Sequence, residues 1–300
     1  MSRSYKAVAA VIFANFFFGT TVIAVKHITP SIITPTALTT VRVVATACLF
    51  WLFFGFTKFA TKFTRKDFFI LMICALMGIS FNQGFSIKGM SLTSPIHASL
   101  LILTTPISIS LLAALFLKEK LTPYKLGGLL LGITGGAILI FSRDLSVVNS
   151  GDQTKGDLFV MLSALCYSTY VLIMKSLAAK YPNLTILKWV FLIGACISLP
   201  FGWQDLQKVP WHSFDLLSWF CLSYIVIGAT FLSYLFMNYG ISQLGASRTS
   251  SFMYSQPFFA AVSAIIILNE TISLSKILAA SLIFTGVYLA NITKNFSEKE

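Results

Sequence analysis

The sequence is short of charge. Only 11% of its 300 residues are Asp, Glu, Lys or Arg, whereas soluble domains carry about a quarter. Hydrophobic residues make up 56% of the chain, and the mean hydropathy is +0.83. The longest polar stretch, at about residues 142–156, is too short to form a soluble domain. The sequence therefore indicates an integral membrane protein whose function lies within the bilayer.

Patterns of catalytic residues are lacking as well. The ten carboxylates all fall outside the middle of the apolar runs, so paired intramembrane aspartates are absent, as are H-E-x-x-H and an acidic metal cluster. The five cysteines lie in apolar runs without a C-x-x-C pattern, which is typical of small buried side chains. We therefore expect no enzyme activity, no metal and no cofactor.

Long apolar runs are abundant by contrast. Runs near 20 residues match helices that cross a hydrocarbon core of about 30 Å. They predict an all-α integral membrane protein with ten transmembrane helices, at about residues 7–26, 36–57, 67–87, 95–116, 124–142, 157–175, 184–203, 215–236, 247–268 and 274–293.

The second half of the chain repeats the first at a constant offset of 151 residues. Over residues 85–136 the offset needs no gap, and it aligns Pro106 with Pro257 and Glu119 with Glu270. Scattered leucine matches mean little in an apolar chain. A mid-helix proline and a turn glutamate in one register across a whole hairpin indicate a duplicated unit.

The duplication defines the domains. We assign a first five-helix repeat to residues 7–142, an external linker to residues 143–156 and a second five-helix repeat to residues 157–293. Because five is an odd number, the second repeat enters the membrane from the opposite side, and the two repeats are inverted. Inverted repeats are typical of transporters that work by alternating access.

Four residues are candidates for hinge or gating positions. Pro106 and Pro257 fall near mid-span, where a proline frees the carbonyl four residues back, such as that of Ile102, and can kink the helix. Arg42 lies inside the second run, where it either snorkels to the membrane surface or faces a watery interior. His97, near a helix end, is either a satisfied interfacial residue or a proton site.

Deep polar and aromatic side chains predict the substrate-binding site. Lipid does not tolerate such groups in mid-span, so they should face protein or a cavity. The candidates are Asn15, Asn82, Gln83, Tyr167, Tyr170, Tyr234, Tyr254 and Gln256. Hydrogen bonding between helices is the alternative interpretation of these residues.

The net charge of +12 is explained by the sides on which basic residues fall. With the N-terminus inside, 15 of the 22 Lys and Arg residues are cytoplasmic, six are external, and Arg42 lies within a span. This bias follows the positive-inside rule and predicts that both termini are cytoplasmic. It accounts for the basicity without a nucleic-acid partner.

A family resemblance rests on residues from both repeats. They are an A-x-K pattern that ends the first run, Arg42 early in the second, and a Gly, Pro and Glu series in each repeat: Ala24 to Lys26, Arg42, Gly89, Pro106, Glu119, Gly240, Pro257 and Glu270. This pattern resembles the EamA-like permeases of the drug/metabolite transporter superfamily, from about Ala7 to Asn291. The resemblance implies a ten-helix carrier of the bacterial inner membrane with cytoplasmic termini, which exports amino acids, other metabolites or drugs.

We therefore expect a secondary transporter for a small neutral or zwitterionic molecule, embedded in the lipid bilayer as a monomer or homodimer. An anion exchanger of the nucleotide-sugar or phosphate type is the alternative, although it should need several buried cations. A non-transporting receptor or scaffold would leave the duplication unexplained. Coupling through His97, substrate exchange and uncoupled movement all remain open, because no carboxylate lies in mid-span.

Overall fold

The computed structural model describes residues 3–55, 63–117, 123–141, 150–244, 249, 252–270 and 272–292. Within these residues the chain is helical and contains no strand. The first-half helices, α1 to α5, are Arg3–Ile28, Pro35–Phe54, Arg65–Leu92, a broken helix of the two pieces Pro95–Ile102 and Thr105–Leu117, and Pro123–Phe141. The second-half helices, α6 to α10, are Ser150–Ala178, Asn183–Gln207, Leu216–Leu244, Gln256–Leu268 and Leu274–Ile292.

Capping residues set several of the helix starts. The side chains of Thr34, Thr64, Ser94 and Asp215 each accept a hydrogen bond from the backbone N–H three residues on. This bond satisfies one of the amides that a helix leaves unpaired at its first turn. A proline directly follows Thr34 and Ser94, in a position where its missing amide costs little.

The helix bounds extend the internal repeat beyond the residues that align in sequence. The starts of α3 and α8 differ by 151 residues, and so do both ends of the second piece of α4 and of α9, and both ends of α5 and α10. π-Helical turns interrupt α3 at Leu76–Phe81 and α8 at Tyr224–Leu232, and these turns also end 151 residues apart. The two halves thus share their irregularities as well as their helices.

Packing between the helices has the same symmetry. α5 packs along its counterpart α10, and α2 packs along its counterpart α7. α1 packs on α8 and α9, and in the same way its counterpart α6 packs on α3 and α4. Glycines permit the closest approach. A Cβ at Gly135 would lie 2.9 Å from the carbonyl oxygen of Ala279, and one at Gly286 would lie 2.6 Å from that of Gly128. The two contacts are equivalent, because Gly135 and Gly286 stand 151 residues apart, and so do Gly128 and Ala279.

The chain is a multi-pass membrane protein with many large apolar side chains on its surface, such as Phe201, which is 80% exposed. Seven helices in the described residues are long and apolar enough to cross a membrane. In α5, α9 and α10 the apolar stretches are the shorter Leu126–Ile138, Gln256–Leu268 and Leu274–Gly286. Thirteen residues of helix reach about 20 Å, less than a hydrocarbon core of about 30 Å. Ten spans therefore stay a prediction.

The segment predicted to link the repeats is partly helical. α6 begins at Ser150, so the last residues of the predicted 143–156 linker are helical. Asp152 in the first turn favours this early start, because a carboxylate stabilises the positive end of a helix. Residues 142–149 and the turn glutamate Glu119 lie outside the described residues.

Candidate functional site

The helix break in α4 coincides with the first mid-span proline. Pro106 is the second residue of the piece Thr105–Leu117, and its counterpart Pro257 is the second residue of α9, which follows the 3-10 turn Phe252–Ser255. The carbonyl of Ile102, which the sequence predicts to be freed, accepts a 2.6 Å hydrogen bond from the Thr105 hydroxyl. The break is therefore present, but the chain itself satisfies that carbonyl.

Two predicted site residues meet at the start of α9, beside Pro257. Gln256 Nε2, at the start of α9, donates a 2.8 Å hydrogen bond to Asn15 Oδ1 on α1, and Asn15 Nδ2 donates to the Val11 carbonyl. Asn15 is fully buried. A narrow crevice lies between α1, α3, α4 and α9, and Gln256 and Phe18 line it. Gln256 thus serves both as an interhelical hydrogen-bond donor and as part of a cavity wall.

Arg42 faces the protein interior. It is 5% exposed, and its guanidinium binds the π-helical turn of α8, where Nε donates to Thr230 Oγ1 at 2.6 Å and Nη2 donates to the Ala229 carbonyl at 3.4 Å. A π turn shifts the hydrogen-bond pattern of a helix and is frequent at functional sites. Of the two interpretations of Arg42, the structure agrees with the interior position.

Gln83 and Tyr234 form the next contact, from α3 to α8. Gln83 Nε2 donates to the Tyr234 hydroxyl at 3.5 Å, and Gln83 Oε1 is buried without a hydrogen-bond partner in the described part of the chain. The two residues stand 151 apart, so they hold equivalent positions in the two repeats. Equivalent residues of a twofold-related pair meet near the axis that relates them. This contact therefore lies near the axis that relates the two repeats, and we call it the central contact.

Aromatic rings surround the central contact. The rings of Phe18 and Phe191 lie 6.0 and 5.1 Å from that of Tyr234, and the rings of Tyr167 and Tyr170 lie 5.7 Å from each other. Both of these tyrosines belong to the same hydrophobic cluster as Tyr234. Phe18 belongs both to this group and to the wall of the crevice, so the crevice adjoins the central group.

Two of the predicted site residues are not seen in this arrangement. Asn82 Nδ2 donates to the Ser163 carbonyl on α6 at 2.9 Å, so its amide ties two helices together. The side chain of Tyr254 lies outside the described residues, although its backbone belongs to the 3-10 turn that precedes α9. The central group is therefore Arg42, Gln83, Tyr167, Tyr170 and Tyr234, with Asn15 and Gln256 beyond Phe18.

A second buried polar cluster lies where α4 meets α6. His97 Nδ1 is 3.1 Å from Asp157 Oδ2 and 3.1 Å from Gln153 Nε2, and Thr93 Oγ1 donates to Asp157 Oδ1. His97 is 1% exposed and Asp157 is fully buried. The sequence suggests His97 as a single residue and does not predict its partner. Asp157 stands 60 positions away at the edge of an apolar run, where a carboxylate looks like a boundary residue.

Sequence reasoning also missed two buried lysines. Lys276 is 2% exposed and pairs with Glu270 at 2.9 Å. Lys188 is 5% exposed, donates to the Phe54 carbonyl at 3.3 Å and lies 4.9 Å above the Trp51 ring. Both follow helix starts in sequence, which hides their burial.

The ends of α3 and α6 are tied by an ion pair. Asp67 Oδ1 accepts from Lys180 Nζ and Asp67 Oδ2 from the Tyr181 hydroxyl, each at 2.8 Å. The hydrogen bond to Asp67 raises the pKa of Lys180 above its usual range. No group of three or more His, Cys, Asp or Glu side chains in the described residues could hold a metal ion.

Comparison with known proteins adds the family context. The EamA-like transporter family model matches the chain twice, at residues 5–141 and 154–292. Two bacterial proteins named as uncharacterized transporters are similar. YyaM of Bacillus subtilis (strain 168) is 22% identical over 76% of this chain and 74% of its own, and sll0355 of Synechocystis is 26% identical over 92% and 87%.

Similar chains occur more widely. The WAT1-related protein At3g02690, chloroplastic, of Arabidopsis thaliana is 24% identical over 92% of this chain and 67% of its own. A solved crystal structure matches 97% of this chain and 97% of its own with a TM-score of 0.65 and 18% identity. At that identity the likeness shows the fold.

Proposed function

Because the chain belongs to the EamA-like transporter family, we propose that it is a secondary transporter, a permease that exports a small neutral or zwitterionic metabolite, amino acid or drug. Its substrate would be held at the centre of the bilayer between the two repeats. The observation that carries this proposal is the hydrogen bond between Gln83 and Tyr234, two residues in equivalent positions.

The symmetry of the two halves supports a mechanism of alternating access. If the five-helix repeats are inverted, their axis lies in the membrane plane, and residues on that axis lie at the midplane, where such transporters bind substrate. The matched helix breaks at Pro106 and Pro257 and the matched π turns supply elements that can change conformation in either half. Ten membrane spans, five in each repeat, are part of this proposal.

The proposed substrate site includes the central group and the crevice beside it. Polar groups from six helices converge there, and neutral amides and hydroxyls suit a neutral or zwitterionic ligand. The proposed binding residues are Asn15, Asn82, Gln83, Tyr167, Tyr170, Tyr234, Tyr254 and Gln256. Pro106, Pro257, Arg42 and His97 are proposed as hinge or gating residues.

One observation favours an anion exchanger of the nucleotide-sugar or phosphate type, namely the buried cation Arg42. A phosphate group carries about −1.5 to −2 charges at neutral pH, and the central group described above supplies a single guanidinium. That alternative is therefore the weaker of the two.

The setting of the transporter is inferred from the charge distribution. The excess of Lys and Arg on one side supports cytoplasmic termini. We propose a bacterial inner-membrane location and a transport unit that is one chain, acting alone or in a homodimer.

Export can be tested with purified protein in vesicles. Proteoliposomes loaded with a metabolite mixture should release a small set of compounds faster than protein-free liposomes do, as read by mass spectrometry of the external medium. A matched control is the protein with Gln83→Leu and Tyr234→Phe together, which lacks the central hydrogen bond. Release of every compound at the protein-free rate would contradict the transporter proposal.

A further inference from the structure

Arg42 differs from the other buried cations in how its charge is compensated. A guanidinium has five N–H donors, and in Arg42 one binds the Thr230 hydroxyl and another the Ala229 carbonyl. Both acceptors are neutral. In the part of the chain that the structure describes, no carboxylate lies within ion-pair distance of Arg42. The positive charge therefore has dipoles around it but no counter-ion from the described residues.

The charges of the two buried lysines are compensated by neighbouring groups. Lys276 has the Glu270 carboxylate at 2.9 Å. Lys188 lies over the Trp51 ring, whose face attracts cations, and near the start of its helix, where a long side chain can reach the membrane surface. The two hydrogen bonds from Arg42 to the π turn of α8 hold its guanidinium away from the membrane surface.

The neighbours of Arg42 are groups suited to a ligand. Tyr234 stands about one helical turn beyond Thr230, the acceptor of Arg42, and its hydroxyl accepts the hydrogen bond from the Gln83 amide. Gln83 Oε1, an acceptor, is buried without a partner among the described residues. A buried acceptor without a donor costs free energy. An unpaired acceptor and an uncompensated cation that bind neighbouring residues of α8 are complementary to a ligand that carries an anion and a donor.

We propose that Arg42 binds the carboxylate of the substrate, and that Gln83 Oε1 accepts a hydrogen bond from its ammonium group. The substrate class is then amino acids and similar zwitterions with a free carboxylate. This inference rests on the proposed function and narrows it. Arg42 acts as a specificity-determining residue, in addition to any part in gating.

The charge balance selects a carboxylate over a phosphate ester. One guanidinium matches one carboxylate in charge and in its fork-shaped geometry. A phosphate brings up to two charges, and Arg42 alone would leave one of them uncompensated in the bilayer. The contact at the repeat axis also places the ligand where α1, α3 and α8 can respond to it.

The test compares acids with amides of the same size. Proteoliposomes with the full-length protein are loaded with amino acids and with their α-carboxamides, which keep the side chain and the ammonium but lack the carboxylate. We expect the wild type to release acids at least about tenfold faster than amides, since hydrogen bonds to charged groups contribute about that factor or more. Arg42→Gln should reduce acid release to the rate of the amides. Lys188→Gln, which removes a buried cation elsewhere, should keep the acid preference.

Two further measurements keep the inference testable if Arg42→Gln does not fold. Gln83→Glu adds a carboxylate beside Tyr234, which should neutralise Arg42 and abolish the acid preference. Thermal stabilisation of the purified wild type should occur with the acids and not with the amides. Equal release and equal stabilisation by acids and amides would overturn the carboxylate site, as would preferential release of phosphate esters. If no compound is released but acids alone stabilise the protein, the transporter proposal fails and the carboxylate site stands.

Discussion

Buried polar side chains cost free energy in a bilayer unless they find partners, and substitutions can measure that cost residue by residue. Asn15 and Gln256 satisfy each other across α1 and α9, and Asp157 gathers His97 and Thr93 between α4 and α6. The cost of removing one member depends on what the remaining members lose.

Replacement of Asp157 should destabilise the protein strongly. Asp157→Ala leaves the His97 ring and the Thr93 hydroxyl without their acceptor in a buried site. Removing one partner of a buried pair costs about 3–5 kcal/mol, so we expect a clear fall in Tm of the detergent-solubilised protein. Asp157→Asn keeps a hydrogen-bonding group and should lose less.

The matched control for this prediction lies on the same helix. Asp152 pairs with Lys155 at the exposed start of α6, at 3.3 Å, and an exposed pair contributes about 1 kcal/mol or less. Asp152→Ala should therefore melt close to the wild type. If both alanine variants melt at the same temperature, the buried cluster does not stabilise the fold as described.

Replacement of Gln256 separates binding from packing. Gln256→Leu removes the donor to Asn15 Oδ1 and changes the crevice wall. An unsatisfied buried acceptor costs about 1–3 kcal/mol, so we expect a modest loss of stability together with weaker substrate binding. Gln243→Leu, at an exposed position near the end of α8, should change neither. Unchanged substrate affinity with a lower Tm would mean that Gln256 is a helix-packing residue alone.

Sequence could indicate these residues but not their partners. Asn15, Gln83 and Gln256 stand out because lipid does not tolerate mid-span amides. Their contacts join positions 151 or 241 residues apart, which no local pattern encodes. The pairing of His97 with Asp157 was hidden for the same reason.

At the scale of helices, the local sequence predicts one kind of irregularity, the helix breaks, but not the other, the π turns. The prolines marked the breaks in advance, because a proline cannot complete a helical hydrogen bond. The π turns in α3 and α8 carry no such marker. In α8, Thr230 and Ser233 bond the carbonyls five residues back, on Ile225 and Gly228. Such bonds depend on side-chain rotamers and on packing.

Replacement of Pro257 tests whether the helix break is a pivot. Pro257 is the second residue of α9, where a missing amide costs little, so Pro257→Ala should insert normally and melt no lower. Alanine permits the 3-10 turn and α9 to join in one straight helix. We therefore expect poor transport because one access state is lost, measured as substrate release from proteoliposomes.

Pro200 provides the matched control for the pivot. It lies inside α7 with an exposed side chain, and Pro200→Ala should keep transport. The accessibility of an engineered inner-gate cysteine, with and without substrate, reports the access state directly. Full transport by Pro257→Ala with the same substrate-dependent change in accessibility would show that the break serves packing.

At the scale of the whole molecule, the two halves are related by more than sequence. Several helix bounds, the ends of the π turns and the packing partners exchange under one offset, and the hydrogen bond from Gln83 to Tyr234 lies near the axis of that exchange. If one half can adopt the conformation of the other, one chain has two arrangements of nearly equal energy. Alternating access requires such a pair of states.

If the repeats are inverted, equivalent residues lie on opposite sides of the membrane. Arg65 and Leu216 are the first residues of α3 and α8, stand 151 apart and are both exposed. With cytoplasmic termini and five spans in each repeat, α3 starts inside and α8 starts outside. In a variant without the native cysteines, Leu216→Cys should react with an impermeant maleimide in whole cells, and Arg65→Cys should react only after the cells are opened. Reaction of both from the same side would mean that the repeats are parallel, and the proposed axis in the membrane plane would be lost with the inversion.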